Sequence, residues 1–183
     1  VEAFPLVLNR PGIQVLGTNA VDTVINAKRA ARVFQAQGVV GDARIAGLTI
    51  AGGYLPAAAN FNQYGGGIMA SNSILEITDC NIVSNEVSTS GYGGSSIGGG
   101  VYAWYGAVII SNTMLALNAS YQNNANSPVM GGAIGSYYAD LSVSHSAMLL
   151  QAPQTCAPAG PTWWSSRRTP WACPAAAWRD RAR

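Results

Sequence analysis

Two aromatic pairs, Trp104-Tyr105 and Tyr137-Tyr138, recur 33 residues apart. Aromatic rings left in water offer apolar faces with polar edges, and sugar rings lie readily on such faces. If the two pairs occupy neighbouring strands, the rings fall about 4.8 Å apart as a flat platform. Trp104, Tyr105, Tyr137 and Tyr138 are therefore the candidate glycan-binding residues, with Tyr92, Tyr121 and nearby asparagines as polar partners. The same stacking is also what neighbouring parallel strands use for cross-strand stabilisation alone, and of the two readings this structural one is preferred.

Other chemistry has fewer residues to work with. Glycoside hydrolysis needs two carboxylates roughly 5 to 10 Å apart. Glu76 and Asp79 are close in sequence, but the equivalent positions 33 residues on are Ile109 and Asn112. The single histidine, His145, shares a column with Asp79 and Asn112 and reads as a solvated turn residue. Arg44 beside Asp42 reads as a surface pair. No residue is assigned a catalytic role, and neither a metal site nor a cofactor is expected.

The elements that position these residues follow from the same 33-residue period. Aligning Gly66-Gly67-Ile68 with Gly99-Gly100-Val101 and Gly132-Ala133-Ile134 brings later positions into columns without a gap. Leu75, Val108 and Leu141 form one column, and Ile77, Ile110 and Val143 the next. Cys80, Thr113 and Ser146 follow, then Ile82, Leu115 and Met148, then Asn85, Asn118 and Gln151. A period of roughly 20 to 50 residues marks a stacked architecture whose single repeat cannot bury its own apolar face.

Leu75-Glu76-Ile77 and Leu141-Ser142-Val143 alternate apolar and polar, which is the period of a half-buried strand. Cys80-Asn81-Ile82 and Gly67-Ile68-Met69 supply two further runs, predicting three short strands per turn. Asn85 and Asn118 are expected at a sharp corner, tolerating left-handed backbone and bonding to each other as an amide ladder. The glycine pairs serve another corner. Ile45, Leu48, Ile50 and Gly53 continue the columns towards the N-terminus with a shift of 32. Earlier strands are predicted around residues 4–8, 13–16, 23–25 and 32–34. The polar stretches 54–64, 86–98 and 119–131 read as loops leaving one corner, a common place for a solenoid's binding surface.

Composition narrows the partners. The 183 residues are 49% hydrophobic and 10% charged, which excludes a disordered chain. No apolar run is long enough to span a bilayer. Between Arg44 and Arg167 the charged residues are Glu76, Asp79, Glu86 and Asp140, with no lysine or arginine. Nucleic acid, which needs a basic stripe, is therefore not an expected partner. Lys28, Arg29 and Arg32 read as a solvated edge. The three cysteines do not form a disulfide framework, and Cys80 reads as a small buried side chain. Asn118-Ala119-Ser120 matches a glycosylation sequon but falls on the ladder position.

The motifs Gly65-Gly66-Gly67-Ile68, Gly98-Gly99-Gly100-Val101 and Gly131-Gly132-Ala133-Ile134 resemble the GGA[I/L/V] repeats of polymorphic outer membrane proteins. Ile82-Val83-Ser84-Asn85 and Leu115-Ala116-Leu117-Asn118 are similar to the FxxN motif of those repeats, with an aliphatic residue in place of Phe. The opening from Glu2 to Gly17 resembles a first coil in the pectate-lyase-like superfamily. The resemblance covers about residues 1–150 and implies an all-β fold, a right-handed parallel β-helix (solenoid). It also implies a bacterial protein that is secreted or at the cell surface, associated with the outer membrane. Enzymes of that superfamily cleave polysaccharides, but the regular coils hold no Lys or Arg to act as a lyase base.

Beyond Gln151 the columns stop. Residues 151–183 hold four of the five tryptophans and two of the three cysteines, without strand or helix periodicity. This irregular tail is either a cap over the coil end or an out-of-frame translation of a GC-rich gene, the second being preferred. The chain begins at Val1 with no visible leader, which reads as either a removed signal peptide or an internal fragment; the expectation is a β-helix segment incomplete at one or both ends. Its expected function is a non-catalytic scaffold for adhesion or for binding a polysaccharide or host-cell glycan. The alternative is a polysaccharide lyase or glycoside hydrolase whose catalytic coils lie elsewhere.

Overall fold

In the computed structural model, the 33-residue period becomes one turn of a coil. The structure describes residues 3–155 except 42, 60, 91–93 and 123–128. Asp42, Tyr92 and the tail from 156 onward therefore lie outside the described residues. All described elements are strands, every pairing is parallel, and the strands stack into a β-solenoid of about four turns.

Four sheets run along the axis. The first joins Leu6–Leu8, Phe34–Gln37, Ile68–Thr78, Val101–Ser111 and Ile134–Ser144, with Gln14–Leu16 and Ala43–Ala46 completing its earlier turns. The second stacks Val24–Asn26, Thr49–Ala51, Asn81–Val83, Met114–Ala116 and Ala147–Leu149. The third stacks Tyr54–Ala59, Glu86–Ser90, Ala119–Gln122 and Ala152–Thr155. The fourth is short, made of Gln63–Tyr64, Ser96–Ile97 and Val129–Met130.

Register matches the sequence columns. Ile68, Val101 and Ile134 are direct neighbours, as are Ile77 with Ile110 and Ile82 with Leu115. These side chains alternate inward with Leu75 and Val108 into one continuous apolar core, where Ile68, Leu75, Ile77, Ile82, Ile110 and Leu115 are fully buried. In the last turn the same columns end at Leu141, Val143 and Met148, which are 39%, 38% and 49% exposed. The shift of 32 also holds, with Ile45 beside Ile77 and Ile50 beside Ile82.

Two expectations are corrected. The two runs read as Gly67–Met69 and Leu75–Ile77 form one eleven-residue strand, Ile68–Thr78, bent at Asn72. The stretches 54–64, 86–98 and 119–131 are not free loops, because each opens with a third-sheet strand and closes with a fourth-sheet strand. Their Ser/Thr-rich composition conceals this: Ser88, Thr89, Ser96 and Ser120 point into a polar interior. Ser96 Oγ lies 3.0 Å from Thr89 Oγ1 and donates to the Tyr121 carbonyl at 2.7 Å. Buried hydroxyls in place of aliphatic side chains remove the apolar alternation on which strand prediction depends.

The turns are closed by four columns of left-handed backbone. Gly65, Gly98 and Gly131 form the first, and Asn72, Tyr105 and Tyr138 the second. Asp79, Asn112 and His145 form the third, and Ser84, Leu117 and Leu150 the fourth. Glycine suits the first column because it has no Cβ. The adjacent Gly66 answers a different need, since a Cβ there would lie 2.6 Å from the Glu86 carbonyl oxygen and 2.7 Å from that of Gly99.

The amide ladder is present, although the expected corner residue is not. Asn85 and Asn118 point inward and are fully buried, while the left-handed turn is made by the residue before each, Ser84 and Leu117. Asn85 Nδ2 donates to Asn118 Oδ1 at 3.0 Å, and the Asn85 backbone N–H donates to the same oxygen at 3.1 Å. Asn118 Nδ2 donates to the Ile82 carbonyl at 2.8 Å, and Gln151 Oε1 accepts from the Asn118 backbone N–H at 3.1 Å. A parallel hydroxyl ladder occupies the next column: Thr113 Oγ1 accepts from Cys80 N at 3.3 Å, and Ser146 Oγ from Thr113 N at 3.1 Å. Cys80 is a buried free thiol whose pKa is pushed up by burial.

Candidate functional site

The chain bends at Asn72, Tyr105 and Tyr138 because this column adopts φ of 48°, 51° and 48°. Strand pairing breaks there: Trp104 pairs with Tyr137 and Gly106 with Ala139, leaving Tyr105 and Tyr138 outside the register. The bend throws the tyrosines outward at the corner, while Trp104 and Tyr137 remain on the adjoining outer face. All four rings are accessible, from 42% at Trp104 to 72% at Tyr138. The four residues selected from sequence are therefore brought together.

Their arrangement differs from a flat platform. Tyr105 and Tyr138 stack along the axis at 5.5 Å between centroids and 7° between planes. Tyr137 stands at 87° to both, 4.5 Å from Tyr138 and 6.3 Å from Tyr105. Trp104 is tilted by 36° from Tyr105 at 6.0 Å. The expected flatness fails because successive side chains diverge across a left-handed corner. The result is a right-angled aromatic corner spanning two turns.

A second aromatic pair, missed in the sequence, supports this face from the glycine side. Tyr64 of the fourth sheet stacks on Tyr102 at 4.5 Å and 11°. Tyr102 is 4% exposed, and burial, aided by Tyr64 and Tyr137, pushes its phenol up to about 12. Burial raises Tyr64 likewise, with a further contribution from Tyr137. The two rings do not share a repeat column, so periodicity carries no signal for their contact. Tyr121 lies in a third-sheet strand, beside Ser88 and Gln154, and not on a projecting loop.

The basic edge is more structural than its solvated reading. Arg32 is half-buried, donating from Nε to the Gly65 carbonyl at 2.7 Å, from Nη2 to the Tyr64 carbonyl at 2.6 Å and from Nη1 to Gln35 Oε1 at 3.1 Å. Burial lowers its pKa to about 10, so it stays charged at neutral pH. Arg29 bridges to Glu86 at 2.9 Å and lies 3.8 Å above the Tyr54 ring. The bond to Glu86 raises the Arg29 pKa.

The carboxylates considered for catalysis are engaged elsewhere. Asp79 occupies a left-handed corner, where Oδ1 accepts a short bond from Asn112 Nδ2 and Oδ2 accepts from Thr78 Oγ1 at 3.3 Å. Glu76 lies 4.0 Å from Arg44 Nε. His145 is exposed at the end of the Asp79 column. Asn118 of the sequon is fully buried in the ladder, so the folded chain does not present it for glycosylation. Among the described residues no group of three His, Cys, Asp or Glu side chains could hold a metal, and no helix is long and apolar enough to cross a membrane.

Fold and site together define a parallel β-solenoid with an exposed aromatic corner on its long sheet. Comparison with protein-family models, curated proteins and solved structures gives no match. The functional reading therefore rests on the geometry.

Proposed function

We propose that the chain is a non-catalytic solenoid scaffold, secreted or displayed at a cell surface, that binds glycans through Trp104, Tyr105, Tyr137 and Tyr138 and so serves adhesion. The observation that supports this reading is the backbone at Tyr105 and Tyr138. Left-handed φ costs an L-residue about 1–2 kcal/mol and is an outlier for a bulky side chain. The preceding turn meets the same geometric demand with Asn72, a residue suited to it. Leu117 and Leu150 also hold left-handed φ while exposed, so what favours ring display is that the two strained tyrosines lie beside Trp104 and Tyr137, with all four rings accessible. Stacking on each other returns only about 0.5–1.5 kcal/mol.

Retention on an immobilised polysaccharide panel tests the reading. Trp104→Ala and Tyr137→Ala are expected to weaken retention while the β-type circular dichroism is unchanged. Retention that survives both substitutions would remove this surface from consideration. Release of new reducing ends or unsaturated products by the wild-type chain would instead favour a carbohydrate-active enzyme.

A further inference from the structure

We propose that the last turn of the coil is a self-association surface, and that its partner is a second copy of this chain docked end to end about a two-fold axis. The apolar columns sealed in the middle turns open there. Leu75 and Val108, Ile77 and Ile110, and Ile82 and Leu115 are fully buried, whereas their successors Leu141, Val143 and Met148 are exposed, as are Leu149 and Leu150. Beside them runs Ile134–Ser144, the eleven-residue edge of the long sheet, which pairs with Val101–Ser111 on one side and with no described strand on the other. A long edge next to exposed aliphatic side chains is a template for another strand.

Three occupants could cover this end, and the sequence separates them. Residues 156–183 of the same chain hold Pro158, Pro161, Pro170 and Pro174, and no proline-free stretch there reaches eleven residues. Proline donates no ladder bond, and the last stretch ends with four charges in five residues, Arg179 to Arg183. The opposite end of another copy matches no better. Its edge strands Leu6–Leu8, Gln14–Leu16 and Val24–Asn26 have three residues each, with Pro11-Gly12 between the first two. The same end of a second copy does match, because an edge laid antiparallel on itself is equal in length and self-complementary in its bonds.

The bend at Tyr138 fixes the axis. A two-fold along its bisector lays each arm of the strand on the other arm of its partner and keeps both interiors on one side. Setting inward residues against inward residues places Ile134 opposite the partner's Val143 and Ser136 opposite the partner's Leu141, so the apolar core continues through the junction. A coil of 33 residues at about 3.3 Å each encloses roughly 550–800 Å². Two facing ends therefore bury on the order of 1,100–1,600 Å², above the roughly 1,000 Å² that a specific interface requires.

Sedimentation equilibrium of the full chain tests the proposal. The expected result is a dimer at about 10 µM, with no further growth as concentration rises. Leu141→Lys with Val143→Lys should weaken association at least about 100-fold, since it buries two unpaired ammonium groups at the junction, and the β-type circular dichroism should be unchanged. Ser136→Cys with Leu141→Cys, in a background of Cys156→Ser and Cys173→Ser, should form an oxidised dimer on a non-reducing gel whether or not the lysine variant folds. A wild-type chain that stays monomeric at about 100 µM overturns the proposal, as it would if residues 156–183 covered the end. Growth into longer oligomers overturns it in favour of head-to-tail stacking. A dimer that survives the two lysines, or that fails to cross-link, also overturns it.

Discussion

Asn118→Ala offers the sharpest measure of what holds the turns in register. Asn118 Oδ1 accepts from both the backbone N–H and the side-chain amide of Asn85, and its Nδ2 donates to Ile82 O. Alanine removes all three bonds. The Asn85 amide retains its bond to the Ile50 carbonyl at 3.0 Å, so its backbone N–H and one acceptor site on Ile82 suffer most. A buried polar group left unsatisfied costs about 1–3 kcal/mol. Adding about 1 kcal/mol for the void gives an expected loss of about 2–4 kcal/mol. Urea unfolding followed by far-ultraviolet circular dichroism would measure it, with Asn81→Ala on the second sheet as a control expected within about 0.5 kcal/mol of wild type. A loss below about 1 kcal/mol for Asn118→Ala, with unchanged denaturant dependence, would refute the assignment of register to the amide ladder.

Gly66→Ala should destabilise by about 3 kcal/mol in the same assay, because the atoms its Cβ would meet are backbone carbonyls that cannot rotate away. Leu117→Asn should stabilise by about 0.5–1 kcal/mol, since Leu117 is exposed at φ 56° and Asn tolerates that conformation better. Alkaline stability should report Tyr102: its phenol titrates near 10 when unfolded and about 12 when folded. The folded chain therefore holds a proton that the unfolded chain loses. The contribution, about 2–3 kcal/mol, is present below pH 10 and disappears as pH rises towards 12. Tyr102→Phe should flatten the fall in urea midpoint across that window, and an unchanged slope would count against burial as the cause of the shift.

The architecture was legible because strict stacking writes the same demand at the same spacing. Every 33 residues the core needs an aliphatic side chain, as at Ile82 and Leu115, and the corner needs an inward amide, as at Asn85 and Asn118. The third and fourth sheets were not legible, because Ser88, Thr89 and Ser120 line a polar interior whose hydroxyls satisfy one another and nearby carbonyls. Sequence brought the four aromatic residues together but could not give their angles, which depend on left-handed φ at Tyr105 and Tyr138. Nothing in composition marks such a conformation in a tyrosine. Arg32 was misread for a related reason: its partners are the carbonyls of Tyr64 and Gly65, which carry no side-chain signature.

Because Ile68, Val101 and Ile134 repeat one register without drift, the span from a residue of these turns to its counterpart 33 residues later behaves as an interchangeable cassette. Excising residues 86–118 would join Asn85 directly to Ala119, itself the register neighbour of Glu86. It would shorten the rod by about 4.8 Å and leave every remaining junction chemically familiar. Duplicating the span that carries Trp104 and Tyr105 would lengthen it by as much and add one more pair of rings. Reach and the number of ring pairs displayed are thus set by copy number alone, as on a ruler whose graduations are cut one turn at a time.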